Sequence, residues 1–173
     1  MKVIVISGFI LLLTVACLAV GSNNASFGIY LVSDAVDARV FARRPETWKT
    51  LPLEVEPVIS DQDILVYDFS KHAMQLTPEA IRRLPHPPVT GIPFVVVVNG
   101  ERIYPGVFYT MASSITCDLP VIVTDRMRQD TSVPSDRIFM QRAYPESLAK
   151  AKDVRSDERV KSIFGSLKKL GSL

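Results

Sequence analysis

The chain has 173 residues, 47% of them hydrophobic and 22% charged, with a formal net charge of +2. That length and apolar content suit one domain with its own core, and the near-neutral balance excludes a global electrostatic case for nucleic acid. The charge is uneven: residues 23–125 carry 8 Lys and Arg against 12 Asp and Glu, whereas residues 126–173 carry 11 against 6. An acidic body therefore precedes a basic tail.

At the amino terminus, Lys2 precedes an apolar run from Val3 to Ala16 broken only by Ser7, Gly8 and Thr14. A charged start, an apolar stretch and small residues at its end form an export signal. The ending Thr14-Val15-Ala16-Cys17 resembles the bacterial lipoprotein signal, in which the residue after cleavage is a cysteine that receives a diacylglycerol; Thr14 stands where that signal usually has leucine. The resemblance implies residues 1–16 as signal peptide, Cys17 as the lipidated residue and membrane lipid as its partner. Two alternatives stay open: cleavage after Ala19-Val20-Gly21 would release a soluble protein, and Val3 to Val20 could remain as an uncleaved anchor. In either of the first two cases Cys117 is the only thiol left in the folded part and has no partner within the chain.

Residues 17–26 read as a tether, with Ser22 to Ser26 polar, and Phe27 to Val32 as a first strand. Asp34 to Phe41 suits either a short helix or a strand, ended by Arg43-Arg44-Pro45. Leu53 and Val55 alternate with Glu54 and Glu56, which predicts a half-buried extended segment. Ser60 to Asp63 forms a turn or helix start. Ile64 to Tyr67 and Ala73 to Leu76 read as a hairpin about Asp68 to Lys71. Thr77 as N-cap and Pro78 at the first helical position open a short helix with Ala80, Ile81 and Leu84 inward. Pro85, Pro87 and Pro88 then form an extended connector.

Phe94 to Val98 is an unbroken, largely β-branched run of the kind buried on both faces of a sheet. Asn99-Gly100 is a type I′ hairpin signal, and Arg102 to Tyr104 the returning strand. Pro105-Gly106 is expected to interrupt pairing, Val107 to Tyr109 to resume it, and Leu119 to Val123 to add another strand beyond the hydroxyl-rich stretch Ser113 to Thr116. The predicted fold class is α+β: a mainly antiparallel sheet over 27–125, with one short helix between hairpins and a C-terminal amphipathic helix.

Pro57-Val58-Ile59-Ser60-Asp61-Gln62-Asp63-Ile64, Leu76-Thr77-Pro78-Glu79-Ala80 and Phe94 through Asn99-Gly100-Glu101-Arg102-Ile103 occur in that order. This succession resembles the periplasmic domain of the SecD subunit of the bacterial Sec translocase over roughly residues 53–123. Ala80 stands where that family has glycine and Asn99 where it has aspartate. The resemblance implies a SecD-like fold on a small lipoprotein, without translocase activity.

Residues 126–173 read as a basic linker followed by a helix. Arg126 to Arg137 is charged and broken by Pro134. Ser156 is the expected cap, with Val160, Ile163, Phe164 and Leu167 spaced along one face, Lys168 and Lys169 in the last turn, and Gly171 as the stop. That stripe suits packing on the sheet, or alternatively a lipid surface or a partner's groove.

Candidate chemistry is sparse. His72 and His86 belong to no close metal-ligand cluster, no phosphate loop or dinucleotide fingerprint is present, and no metal or cofactor is expected. Asp61 and Asp63 suit turn capping more than a shared metal or proton. Arg102, Tyr104, Tyr109, Ser113 and Ser114 form a possible recognition patch at one end of the sheet. The expectation is a membrane-anchored, non-enzymatic cell-envelope domain that binds a protein or envelope component. The alternatives are a hydrolase or transferase using Ser113, Ser114 or Cys117 with His72, and a freely secreted domain.

Overall fold

The computed structural model describes residues 26–33, 36–44, 46–125, 134–148 and 153–173. Cys17 and nearly all of the tether lie outside these residues. The elements in chain order are β1 (Phe27–Leu31), α1 (Ala38–Arg43), β2 (Ile59–Ser60), β3 (Ile64–Asp68), β4 (Ala73–Leu76), α2 (Pro78–Arg83), β5 (Ile92–Val98), β6 (Glu101–Tyr109), β7 (Val121–Val123), β8 (Arg137–Gln141) and α3 (Glu158–Ser166). The protein is α+β, with one eight-stranded, mostly antiparallel sheet in the order β2-β1-β5-β6-β7-β8-β4-β3.

β5 and β6 form the centre. Asn99 and Gly100 adopt φ of 49° and 80°, as a type I′ turn requires, and Val98 pairs with Glu101 across them. Contrary to expectation, β6 is not interrupted at Pro105-Gly106: Pro105 pairs with Val95 and Gly106 with Phe94. Val107 donates its N–H away from β5, to the Pro120 carbonyl at 2.9 Å. Residue 105 has the same orientation, so its missing N–H would point beyond the start of β7 and leaves the β5 ladder intact. At residue 106 a Cβ would lie 2.7 Å from the Pro120 carbonyl oxygen and collide with the Phe94 ring, so the close approach requires glycine.

β7 lies beside β6 but parallel to it, Val107 opposite Val121, so the loop 110–120 is a crossover rather than a hairpin. β8 then pairs antiparallel with both β7 and β4. An interior strand of the sheet thus begins at Arg137, inside the stretch read as linker and tail, and the sheet crosses the boundary expected near residue 125. The short alternating run RIFMQ carries the burial pattern of a strand with one covered face.

β2 and β3 are the two ends of the strand order, yet Asp61–Asp63 alone joins them. Three residues span at most about 11 Å, so the sheet curls until its ends are neighbours. Its concave side holds a core to which all eight strands contribute, among them Phe27, Ile59, Tyr67, Met74, Phe94, Tyr104, Ile122 and Met140. α3 packs into this core through Val160 and Phe164. The Phe164 ring lies 4.9 Å from Phe27 and 4.7 Å from Tyr67, so the helix is part of the core. The convex side carries a second cluster under α1, the 3-10 turn Thr47–Lys49 and the crossover, built on Phe41, Val95, Val97, Val107, Tyr109 and Val121.

Local chemistry places the helices. Thr77 Oγ1 accepts from Ala80 N at 3.2 Å with Pro78 at the first position of α2, as expected. α3 is capped by Asp157, not Ser156, since Asp157 accepts from Arg159 N at 2.9 Å while Ser156 ends a preceding 3-10 turn. Its end is also earlier than expected. Lys168 takes the left-handed position at φ 56°, and Lys169 N–H reaches the Phe164 carbonyl at 2.9 Å and Lys168 N–H the Gly165 carbonyl at 3.1 Å, a Schellman closure. The following residues run along β3: Tyr67 N–H donates to the Lys169 carbonyl at 2.8 Å and Gly171 N–H to the Tyr67 carbonyl at 3.2 Å, covering that edge. Near the other edge, Glu54 and Val58 bond to Leu31 and Ile29, so the three residues between them bow outward and Val55 is 88% exposed instead of half-buried.

Candidate functional site

The residues of the expected recognition patch do not converge. Alternation along an unbroken strand would put Arg102 and Tyr104 on one face, but a bulge at Ile103 pairs Arg102 with Val97 and Tyr104 with Val96. Val97 belongs to the convex cluster and Val96 to the concave core, so the two side chains part. Arg102 donates to the Trp48 carbonyl at 2.5 Å. Tyr104 is buried, its hydroxyl 3.5 Å from Met140 Sδ. Tyr109 is buried on the convex side, edge-on to Tyr144 at 5.4 Å. Buried Ser113 turns back on Thr110, accepting from its N–H at 3.3 Å, and Ser114 faces solvent.

Nor are the candidate nucleophiles brought to His72. Cys117 is buried in the convex cluster, and burial pushes its thiol up from the ordinary value, away from the thiolate a nucleophile needs. His72 is surrounded by other groups: Tyr67 Oη lies 3.3 Å from Nδ1, Ser156 Oγ 3.3 Å from Nε2, and Asp153 Oδ2 3.7 Å from Nε2. Serine and aspartate thus share one ring nitrogen, whereas a catalytic triad needs the acid on the nitrogen opposite the nucleophile. Burial, assisted by the Arg155 charge, pushes the His72 pKa down.

This cluster was not visible in the sequence, where its members stand 84 residues apart. Its hub is Arg155, which is 7% exposed. The guanidinium holds Asp153 through Nε at 2.8 Å and Nη2 at 2.7 Å, and donates from Nη1 to the Met140 carbonyl on β8. The arrangement is a clamp: it fastens the segment leading into α3 to β8 and to the β3–β4 turn. Asp61 and Asp63 are likewise occupied locally. Asp61 accepts from Ser26 N at 3.0 Å, and Asp63 from Ser60 N and Oγ, both at 2.8 Å, and from Arg83 at 2.7 Å. Among the described residues no cluster of His, Cys, Asp and Glu suits a metal ion, and no helix is long and apolar enough to cross a membrane.

The convex side is different. Between α1 and the crossover lies an open cleft of about 200 Å³, with Arg39, Ala42 and Arg43 on the helix wall and Ile115 to Asp118 on the loop wall. Ala38 and Phe41, 1% and 2% exposed, anchor α1 to the sheet and so turn residues 39, 42 and 43 toward the loop. The loop wall is fixed by a two-way backbone pair, Cys117 N–H to the Tyr144 carbonyl and the reverse, each 2.8 Å. Among the described residues Arg43 and Asp118 make no ion pair. No signal in the sequence joined Arg39 and Arg43 to Thr116 and Asp118, because the crossover that brings them together depends on the parallel β6–β7 pairing.

Comparison with protein-family models, with curated proteins and with solved structures returns no match for this chain.

Proposed function

We propose that the protein is an exported, lipid-anchored domain of the bacterial cell envelope that binds a protein or envelope component and has no enzymatic role. The observation that carries this reading is the amino-terminal pattern: Lys2, the apolar run Val3 to Ala16, and Cys17 directly after Val15-Ala16. A thiol at that point is the nucleophile lipidation needs. Each buried CH₂ of the acyl chains contributes about 0.8 kcal/mol, so two chains hold firmly where one does not. Residues 17–26 reach at most about 35 Å when extended, which would keep the domain close to the membrane. The likeness of residues 53–123 to the SecD periplasmic domain supports the same compartment. The closed His72 clamp and the buried Cys117, whose thiol burial pushes away from the thiolate, give no support to a hydrolase.

The test is lipid labelling of the full chain and of Cys17→Ser in cells, with and without globomycin, alongside fractionation and intact mass. Globomycin-sensitive label in membranes, lost in the variant, is expected. Unlabelled protein with a mass corresponding to cleavage after Gly21 would overturn the anchor in favour of a secreted domain.

A further inference from the structure

We infer that the cleft between α1 and the crossover binds the terminal carboxylate of a small peptide-like ligand, with Arg39 and Arg43 holding its oxygens and Thr116 donating its hydroxyl. This rests on the reading of the chain as an envelope-binding domain, and it makes the bound component one with a free carboxylate.

Arg39 and Arg43 stand four residues apart on the same face of a six-residue helix that contains no acid. Like charges in that spacing weaken a helix, so the pair is a feature that stability alone would remove. Asp37 is the acid nearest Arg39, but its carboxylate caps the helix, accepting from Arg39 N at 2.7 Å, and lies 3.9 Å from the guanidinium. Two exposed guanidinium forks beside a fixed loop match the planar, two-oxygen geometry of a carboxylate.

Size and charge narrow the ligand. At about 200 Å³ the cleft is smaller than the ~300–1,000 Å³ that encloses a drug-sized molecule, so it takes one end of a longer ligand. Arg39 and Arg43 are opposed by Asp118 on the loop wall and by Asp37, 3.9 Å from Arg39, so the cleft carries no surplus positive charge for a dianion. A monoanion suits it better than a dianionic phosphate, which would also meet the Asp118 carboxylate on the same wall. Ala42 and Ile115 provide an apolar surface for a small terminal side chain.

The experiment is an NMR titration of isotope-labelled full-length protein in uncharged detergent micelles with N-acetyl-alanyl-alanine, its C-terminal amide and inorganic phosphate. The acid is expected to give saturable shifts at Thr116, Cys117 and Asp118, and the amide none. R39Q/R43Q should weaken binding by about tenfold or more without lowering Tm, since both side chains are exposed and their mutual repulsion is removed. Equal shifts with the amide, no saturation with the acid, tighter binding of phosphate, or an unaffected double variant would each overturn the assignment. Lipid labelling depends on Cys17 alone, so a failed titration with intact labelling sinks the cleft and leaves the anchor standing.

Discussion

On the concave face of the sheet, the polar groups that enter the core are closed off by one another; on the convex face, the charged groups around α1 are turned outward. His72, Asp153, Arg155 and Ser156 bind each other and the Met140 carbonyl beneath a helix whose Phe164 is fully buried. Arg39 and Arg43 stand over a shallow cleft instead. The contrast separates two uses of charge. A buried guanidinium must be fully partnered, because desolvation without compensation costs several kcal/mol; an exposed one can be kept for a ligand. The concave face is thus expected to respond to substitution in stability, and the cleft in binding.

The largest effect should come from Phe164→Ala, which empties a space shared with Phe27 and Tyr67. A loss of about 3–5 kcal/mol is expected, read as the midpoint of urea unfolding. A loss below about 1 kcal/mol would mean that α3 is no part of the core, and the helix would again be a candidate for a lipid surface. Next, Gly106→Ala drives a methyl group into the Pro120 carbonyl and the Phe94 ring. Overpacking of this kind costs about 1–3 kcal/mol, and equal stability of the variant would refute the tight β5–β6–β7 crossing.

The clamp should also make stability depend on pH. His72 faces Tyr67, Phe69, Asp68, Asp153, Arg155, Glu146 and Ser156, and burial followed by the Arg155 charge holds its pKa below the ordinary 6.5. The unfolded chain therefore binds a proton at a pH where the folded chain does not, so stability is full above 6.5 and falls as pH drops from there toward the lowered value. Asp68 acts in a separate window. Hydrogen bonds from Ser70, Leu173 and Lys71 hold its pKa at about 2, so its contribution is present above the ordinary 3.8 and is lost between there and about 2. Urea midpoints across pH 7 to 5, above the Asp68 window, isolate the His72 contribution when the natural protein is compared with His72→Asn; asparagine is the replacement because it tolerates the φ of 48°. A slope near pH 6 that survives in the variant would assign it to another group.

How much of this was legible in the sequence differs between the two faces. β5, the Asn99-Gly100 turn and the Thr77-Pro78 helix start were readable because their signals are local: consecutive β-branched residues, a dipeptide with forced φ, a cap beside a proline. The patch fails at Ile103, whose bulge sends Arg102 and Tyr104 apart and has no signature of its own, and again where Tyr104, Tyr109 and Ser113 are buried, Tyr109 on the face opposite Tyr104. Pro105 reads as a break in the sequence because a missing donor matters only if the neighbouring strand is there to receive it, and strand order is not a local property. β8 was hidden by its charged flanks, and with it the placement of everything that pairs to it. The clamp and the cleft both depend on contacts between residues distant in the chain, so neither could be found by spacing.

The smallest expected effect tests the join between the two readings of α3. The Schellman closure places Lys168 at a position where glycine is the usual residue, and a side chain there costs about 1 kcal/mol. Lys168 is exposed, so replacing it should disturb no packing. Lys168→Gly is therefore expected to raise stability by about 0.5–1 kcal/mol, measured by urea unfolding at neutral pH. If the variant is stabilised, the end of α3 is set by backbone geometry and the Lys168 side chain contributes no contact that offsets the strain. If it is destabilised, the lysine side chain makes a favourable contact that outweighs the strain, and the helix end should be sought as a cationic contact point instead.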